Sequence, residues 1–72
     1  MQRYRNLGGD SNVHSFEIGV EYILVKFSGT FRVYKYSYWK AGRIHVEQMK
    51  LLAINGRGLN SYINRNTKSL YD

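Results

Sequence analysis

The sequence predicts an α+β domain in which a three-stranded antiparallel β-meander is followed by a main helix and a short second helix. Three observations lead to this fold class. Segments rich in β-branched and aromatic residues come first, and a stretch of good helix formers without glycine or proline follows them. With 72 residues, the chain is also short enough for one domain only. Because the strands precede the helices, we expect the helices to cover one face of the sheet.

The core of such a domain must come from aromatic and aliphatic packing. The chain has three Phe, seven Tyr and one Trp but no cysteine, which excludes disulfides, thiolate zinc sites and thiol nucleophiles. A domain of this size buries only about 60% of the surface that its unfolded chain exposes. Most of the large rings are therefore needed for burial.

Each predicted strand has its own pattern. The first, "VHSFEIGV" at residues 13–20, alternates polar and apolar side chains before it meets a glycine. The segments "EYILVKF" at residues 21–27 and "TFRVYKYSY" at residues 30–38 are richer in β-branched and aromatic residues, and a Ser-Gly pair separates them. We therefore expect a hairpin between the second and third strands.

The main helix is predicted in "RIHVEQMKLLAIN", residues 43–55. Its apolar residues at helical spacing form one stripe, made by Val46, Met49, Leu52 and Ala53. Glu47 and Lys50 are expected on the other side at an i,i+3 spacing, and Gly56 is expected to end the helix.

A second short helix is predicted next, because Leu59, Tyr62 and Ile63 repeat at helical spacing. It is expected to start near Gly58 or Asn60 and to fray after Asn66.

The two ends of the chain are predicted to lie outside the domain. Residues 1–12 are expected to form a flexible basic leader, residues 13–66 the single domain, and residues 67–72 a C-terminal tail. The leader is predicted from a cluster of turn formers, which consists of Gly8, Gly9, Asp10, Ser11 and Asn12.

The hairpin register decides which face Tyr34 and Tyr36 occupy, because a slip of one residue moves every side chain of a strand to the other face. With a two-residue loop, Ile23 lies opposite Tyr34, and the tyrosines share the face of Ile23 and Val25. With a three-residue loop, Ile23 lies opposite Val33, and the tyrosines lie on the other face. The sequence leaves both registers open.

The two registers give the tyrosines different roles. In the first, their rings line the core and their hydroxyls reach water at its rim. In the second, they form a platform on which unpaired bases stack while Arg and Lys meet phosphates. A mixed arrangement leaves Tyr38 and Trp39 exposed while Tyr34 and Tyr36 are half-buried.

Several motifs of the chain resemble those of a known small family. The segment "SFEIGVEYILVKFSGTFRVYKY" contains an Ile-Gly pair, a Val-x-Phe strand, a hairpin glycine and a Tyr-x-Tyr motif. The later segment "LAINGRGLNSYI" adds an alanine-bearing helix end followed by Gly58, Leu59, Asn60 and Ile63. The order and spacing of the motifs in these two segments resemble those of the KTSC domain, a family named for the C-terminus of some lysyl-tRNA synthetases. The resemblance covers about residues 13–66.

The resemblance implies a function only in outline. The KTSC family is of unknown function, occurs alone in bacterial and phage proteins, and has been suggested to bind RNA because of its attachment to synthetases. Its members usually have Val-Pro after the Tyr-x-Tyr motif, whereas this chain has no proline.

The net charge of +6, from 11 Lys and Arg against 5 Asp and Glu, favours anionic partners. Our preferred interpretation is weak, salt-sensitive binding of RNA or another single-stranded nucleic acid by a monomer or a homodimer. The predicted nucleic-acid-binding residues are Arg32, Tyr34, Lys35, Tyr36, Tyr38, Arg57 and Arg65, with Trp39 as an alternative to Tyr38. The competing interpretation is a protein-interaction module, such as a phage- or plasmid-encoded inhibitor or adaptor that docks an acidic partner protein.

No residue set indicates catalysis or metal binding. His14 and His45 lack a metal-ligand spacing, the glutamates are solitary, and "GRG" is shorter than a phosphate-binding loop. We therefore expect no enzymatic activity and no cofactor.

The apolar runs are far shorter than the roughly 20 residues that cross a bilayer, and the N-terminus lacks the apolar region of a signal peptide. A cytoplasmic location without membrane attachment is expected.

Overall fold

The computed structural model of the chain describes residues 1–9 and 11–72, so Asp10, one of the predicted turn formers, lies outside the described residues. The fold is a four-stranded antiparallel sheet of order β1-β2-β3-β4, followed by helical segments. The strands are β1 (Gln2–Arg3), β2 (Val13–Ile18), β3 (Tyr22–Phe27) and β4 (Val33–Ser37). The helices are α1 (Arg43–Asn55) and α2 (Leu59–Tyr62), and α2 continues as a π-helical segment (Ile63–Thr67). The α+β class is confirmed, with one strand more than predicted.

The additional strand lies in the segment that was expected to be a flexible leader. Gln2 and Arg3 pair with Phe16 and Ser15 of β2, and Tyr4 is only 3% exposed. Its hydroxyl accepts a hydrogen bond of 3.3 Å from the backbone N–H of Leu59. The first residues thus belong to the domain, because one large ring among turn formers supplies core surface that a small domain needs.

The last residues also pack on the domain instead of forming a separate tail. Thr67 is fully buried, and the ring of Tyr71 meets Tyr34 edge to face with centroids 4.9 Å apart. The backbone N–H of Asp72 donates to the carbonyl of Lys35 at 2.7 Å, and its carboxylate accepts from Ser37 Oγ at 2.7 Å. These contacts cover part of the outer edge of β4, where unpaired backbone groups would otherwise face water.

The β3–β4 register differs from both predicted registers. Ile23 lies opposite Tyr36 and Val25 opposite Tyr34, and a five-residue connection, residues 28–32, joins the strands. This pairing is shifted by two residues from the two-residue-loop prediction, so the side chains keep the same face. The tyrosines therefore share the face of Ile23 and Val25, as that alternative predicted.

The prediction of α1 is confirmed at both ends. Gly56 follows it in the left-handed conformation, with φ 74°, and its N–H bonds back to the carbonyl of Leu52 at 3.0 Å. Only glycine adopts this conformation without a steric penalty from Cβ, which explains why the helix stops there. The predicted second helix is present as α2 and the π-helical segment.

The core lies between the sheet and the helices. Val46, Met49 and Ala53 of α1 are buried, as predicted from their spacing, while Leu52 is partly buried at the margin. The sheet contributes four of the fully buried side chains, which are Phe16, Ile23, Val25 and Tyr36. Lys50 was predicted on the side of α1 away from the apolar stripe, at an i,i+3 spacing from Glu47, and it is nevertheless only 9% exposed. Its ammonium group is paired with Glu47 at 2.8 Å and donates to the carbonyl of Val20 at 3.1 Å.

Candidate nucleic-acid interface

The sheet has one face that the helices do not cover, which we call the open face. The pairing of Glu17 with Leu24, of Leu24 with Lys35 and of Lys26 with Val33 aligns these side chains across three strands. Because side chains alternate along a strand, they point away from the face on which α1 packs. The open face consists of eight strand residues, the buried Ser15 and Ser37 and the more exposed Glu17, Tyr22, Leu24, Lys26, Val33 and Lys35.

Cations lie over aromatic rings on this face. Lys35 Nζ is 5.1 Å from the ring centroid of Tyr22, and Lys26 Nζ is 5.9 Å from that of Phe31. Both distances fall within the range of cation–π attraction. The contacts hold two flexible lysines beside rings, where each ammonium group still has donors for an anion.

The two ends of the open face carry fully exposed aromatic rings. Phe31, in the connection before β4, and Trp39, in the turn after it, are each 96% exposed. Trp39 lines a shallow depression together with five other residues, which are Glu21, Tyr22, Lys35, Ser37 and Tyr38. Since a small domain gains stability by burying large rings, two rings left in water mark a surface that is available for binding.

The charge on the open face is mainly positive. Lys26 and Lys35 lie on β3 and β4, and the pairing of Arg3 with Ser15 places Arg3 on the same side at β1. Against them stand two of the described carboxylates, Glu17 on β2 and Glu21, which lines the depression beside Trp39. Rings and cations therefore share one accessible surface, as binding of an unpaired nucleic acid strand requires.

The predicted site residues do not form one cluster. Lys35 lies on the open face, whereas Arg32 and Tyr34 lie on the opposite side of the sheet, with the guanidinium carbon 4.8 Å from the ring centroid. Tyr36 is 1% exposed, so the predicted stacking role of Tyr36 is corrected to a core role. The predicted platform of Tyr34 and Tyr36 fails because the register turns both towards the core.

The other three predicted site residues, Tyr38, Arg57 and Arg65, lie away from Tyr34 and Tyr36. The half-buried Tyr38 donates its hydroxyl hydrogen bond to the Glu47 carboxylate, which raises the pKa of Tyr38. Hydrogen bonds from Lys50, and then from Tyr38, lower the pKa of Glu47. Arg57, after α1, and Arg65, in the π-helical segment, are exposed. Among the described residues, Arg57 and Arg65 are thus exposed cations that do not stack on an aromatic ring.

Sequence reasoning did not assign Phe31 to the binding surface. Phe31 was predicted to lie within the strand at residues 30–38, whereas the longer connection removes it from β4 and exposes it. A signal was available in the spacing of Phe31, Val33, Lys35, Ser37 and Trp39, which alternates with the tyrosines. Once Tyr36 is assigned to the core, this alternate set belongs to the other face.

A second exposed surface lies on α1. Ile44, Leu51 and Ile54 are 84%, 58% and 50% exposed, on the side of the helix away from Val46 and Ala53. Arg43 is an exposed cation at its first turn. This surface is an apolar stripe with little charge of its own.

No protein-family model, curated protein or solved structure matches the chain. The KTSC resemblance therefore stays a prediction from the sequence motifs. No helix among the described residues has the length and apolar character needed to cross a membrane.

Proposed function

We propose that the chain is a small non-enzymatic domain that binds single-stranded nucleic acid, RNA in the first place, on the open face of its sheet. The observation that carries the proposal is the placement of Phe31 and Trp39, each 96% exposed, at the two ends of a face that holds Lys26 and Lys35. Rings receive unpaired bases with little sequence preference, and the lysines meet the phosphates between them.

The dimensions of the face suit a short strand. The eight residue steps from Phe31 to Trp39 span up to about 26 Å at the rise of a β-strand. The half-buried ring of Tyr22 lies near Trp39 and adds a third aromatic surface. With only a few cations on the face, binding should be weak and sensitive to salt.

The test is fluorescence anisotropy of a labelled, mixed-sequence single-stranded RNA at several salt concentrations. If Lys26, Lys35 and Arg3 each neutralise one phosphate, log K should fall with log salt with a slope of about −2. Lys35→Ala should reduce the magnitude of that slope by about 0.7. Arg57→Ala is the matched control, since it removes an exposed cation that lies off the open face. Lack of binding at about 50 mM salt, or equal effects of the two variants, would refute the proposal.

A second candidate function is a protein-interaction module, supported by the exposed stripe of Ile44, Leu51 and Ile54 on α1. An apolar stripe of this kind favours a protein surface over a nucleic acid, because it offers packing without phosphate-binding groups. An acidic partner would also meet Arg43 at the margin. This function predicts that Ile44→Glu and Leu51→Glu abolish capture of a partner while Trp39→Ala leaves it intact.

A further inference from the structure

A groove of about 420 Å³ lies on the other side of the sheet, between the end of the β3–β4 hairpin and the π-helical segment. Phe27 and Tyr34 belong to its sheet side, and Ile63, Asn64 and Lys68 belong to its helical side. Its volume lies within the range of small-molecule sites, about 300–1,000 Å³. π-Helical segments are frequent at functional sites, and this one contributes Ile63 and Asn64 to the groove.

The walls of the groove are aromatic. Tyr34 meets Phe27 and Tyr71 edge to face, with centroid distances of 5.6 and 4.9 Å. All three rings are half-buried, so each one packs on the core and still offers part of its surface. Rings held by such contacts present a rigid apolar surface to a planar ligand.

Arg32 does not line the groove itself, but its side chain lies against two of the rings that do. Its guanidinium carbon is 4.8 Å from the ring centroid of Tyr34 and 5.5 Å from that of Tyr71. Within residues 1–9 and 11–72 the guanidinium group makes no ion pair. Because the rings already restrict the arginine side chain, little further entropy is lost when its planar donors bind an anion.

The charge of the groove is also positive. Lys68 lines it, and none of the described carboxylates does. Those carboxylates lie elsewhere, since Glu17 is on the open face, Glu21 lines the depression beside Trp39, Glu47 is paired with Lys50, and Asp72 accepts from Ser37. A ligand that suits the groove thus combines a planar apolar body with an anionic group.

We propose that this groove binds a mononucleotide unit, with the base against the rings of Tyr34 and Tyr71 and the phosphate between Arg32 and Lys68. A base has a π surface for the rings and a polar edge for the Asn64 amide, and a phosphate matches the fork of donors on an arginine. The unit can be a free nucleotide or the 5′-phosphorylated end of a strand, since both have this chemistry. The site lies on the opposite side of the sheet from the open face and does not depend on it.

The test is an NMR titration of the full chain with 5′-AMP, followed by the amide signals of residues at the groove. Saturable shifts are expected at Tyr34, Asn64 and Tyr71, with adenosine and inorganic phosphate each binding at least about 10-fold more weakly. Arg32→Ala and Lys68→Ala should each weaken 5′-AMP binding by about 10-fold. Both residues are exposed, so the variants should fold, which thermal melting would verify. Arg57→Ala is the matched control, since it removes an exposed cation that does not line the groove, and it should leave 5′-AMP binding unchanged.

Two outcomes would overturn the inference: no saturable shift at these residues, or an affinity for 5′-AMP that is the same in Arg32→Ala, Lys68→Ala and the wild type. A comparison of RNA with a 5′-phosphate and a 5′-hydroxyl end identifies the source of the ligand. Tighter binding of the phosphorylated RNA that depends on Arg32 supports a strand end, and equal binding together with 5′-AMP shifts supports a free nucleotide. Failure of the open-face proposal would be recognised separately, since Trp39→Ala and Lys35→Ala act on RNA binding alone.

Discussion

Ile23 lies directly opposite Tyr36 in the β3–β4 hairpin, and both side chains are almost completely buried, at 0% and 1% exposure. This pairing places the alternate residues of β4 on two different surfaces. The tyrosines face α1 and the C-terminal residues, whereas Val33 and Lys35 face water. One cross-strand pair therefore assigns the two alternate sets of β4 side chains to opposite faces of the sheet.

Replacing Tyr36 by alanine should unfold a large fraction of the protein. Loss of a buried ring costs about 3–5 kcal/mol, which is comparable with the total stability of a small domain. Tyr36→Phe keeps the ring and should stay folded. Chemical denaturation monitored by circular dichroism measures both variants. An Ala variant as stable as the wild type would contradict the core role of Tyr36.

Stability should also fall at high pH because of Tyr36. Burial, with smaller effects of the phenols of Tyr34 and Tyr71, raises its pKa from 10.0 to about 12. The unfolded chain loses this proton at the lower pH, so the contribution is complete below pH 10.0 and is lost as the pH rises to about 12. The loss should amount to roughly 2–3 kcal/mol.

Urea denaturation of the wild type and of Tyr36→Phe between about pH 9 and pH 12 measures this loss. Tyr36→Phe lacks only the phenol hydroxyl of Tyr36, so the difference between the two curves isolates this group. Parallel curves would show that the phenol of Tyr36 ionises equally well in the folded protein.

Trp39→Ala should weaken binding of single-stranded RNA without changing thermal stability. A base stacked on an aromatic ring is worth about 1–3 kcal/mol, so the affinity should fall roughly 5- to 100-fold. The melting temperature should stay constant because the ring is 96% exposed. Trp39→Phe should retain much of the affinity. An unchanged affinity in anisotropy measurements would exclude Trp39 from the interface.

Gly56→Ala should destabilise the protein more than Gly9→Ala. Both glycines have a positive φ, 74° and 84°, so each alanine meets the left-handed backbone penalty of about 1–2 kcal/mol. A Cβ at Gly56 would also lie 2.9 Å from Cβ of Arg5, whereas one at Gly9 would meet nothing within 4 Å. Thermal melting of the two variants separates the contact from the backbone effect. Equal destabilisation would show that the Arg5 contact is unimportant.

The N-terminal residues should contribute measurably to stability. Tyr4→Ala removes a ring that is 3% exposed and should cost about 3 kcal/mol or more. Tyr4→Phe removes only the hydroxyl that accepts from Leu59 N–H and should cost about 1 kcal/mol. Arg3→Ala, an exposed neighbour, is the control in the same denaturation series. A neutral Tyr4→Ala would mean that the first residues do not pack on the core in solution.

The helices were predicted well because their signals are local. Residues 43–55 combine good helix formers with an apolar stripe, and Gly56 supplies the left-handed residue that ends the helix. β1 was missed because two residues of strand have no periodicity of their own. It forms because Gln2 and Arg3 pair with the edge of β2 and Tyr4 packs in the core.

The binding surfaces were predicted less well, since they depend on register. Alternation along residues 31–39 divides the side chains into two sets, and this division follows from the pleat of any β-strand. The sequence of this segment alone does not determine which of the two sets of side chains faces the helices. The pairing of Ile23 with Tyr36 depends on a five-residue connection and on burial of the tyrosines against α1 and Tyr71.

The amino-acid sequence alone thus specified the α+β class, the limits of α1 and the two sets of β4 residues, because each of these follows from contacts between near neighbours in the chain. The choice of the open face, the inclusion of both chain ends and the groove beside Arg32 came from the folded structure. These three features depend on which segments, far apart in sequence, bury their side chains together. The free energy of that burial is a property of the whole domain.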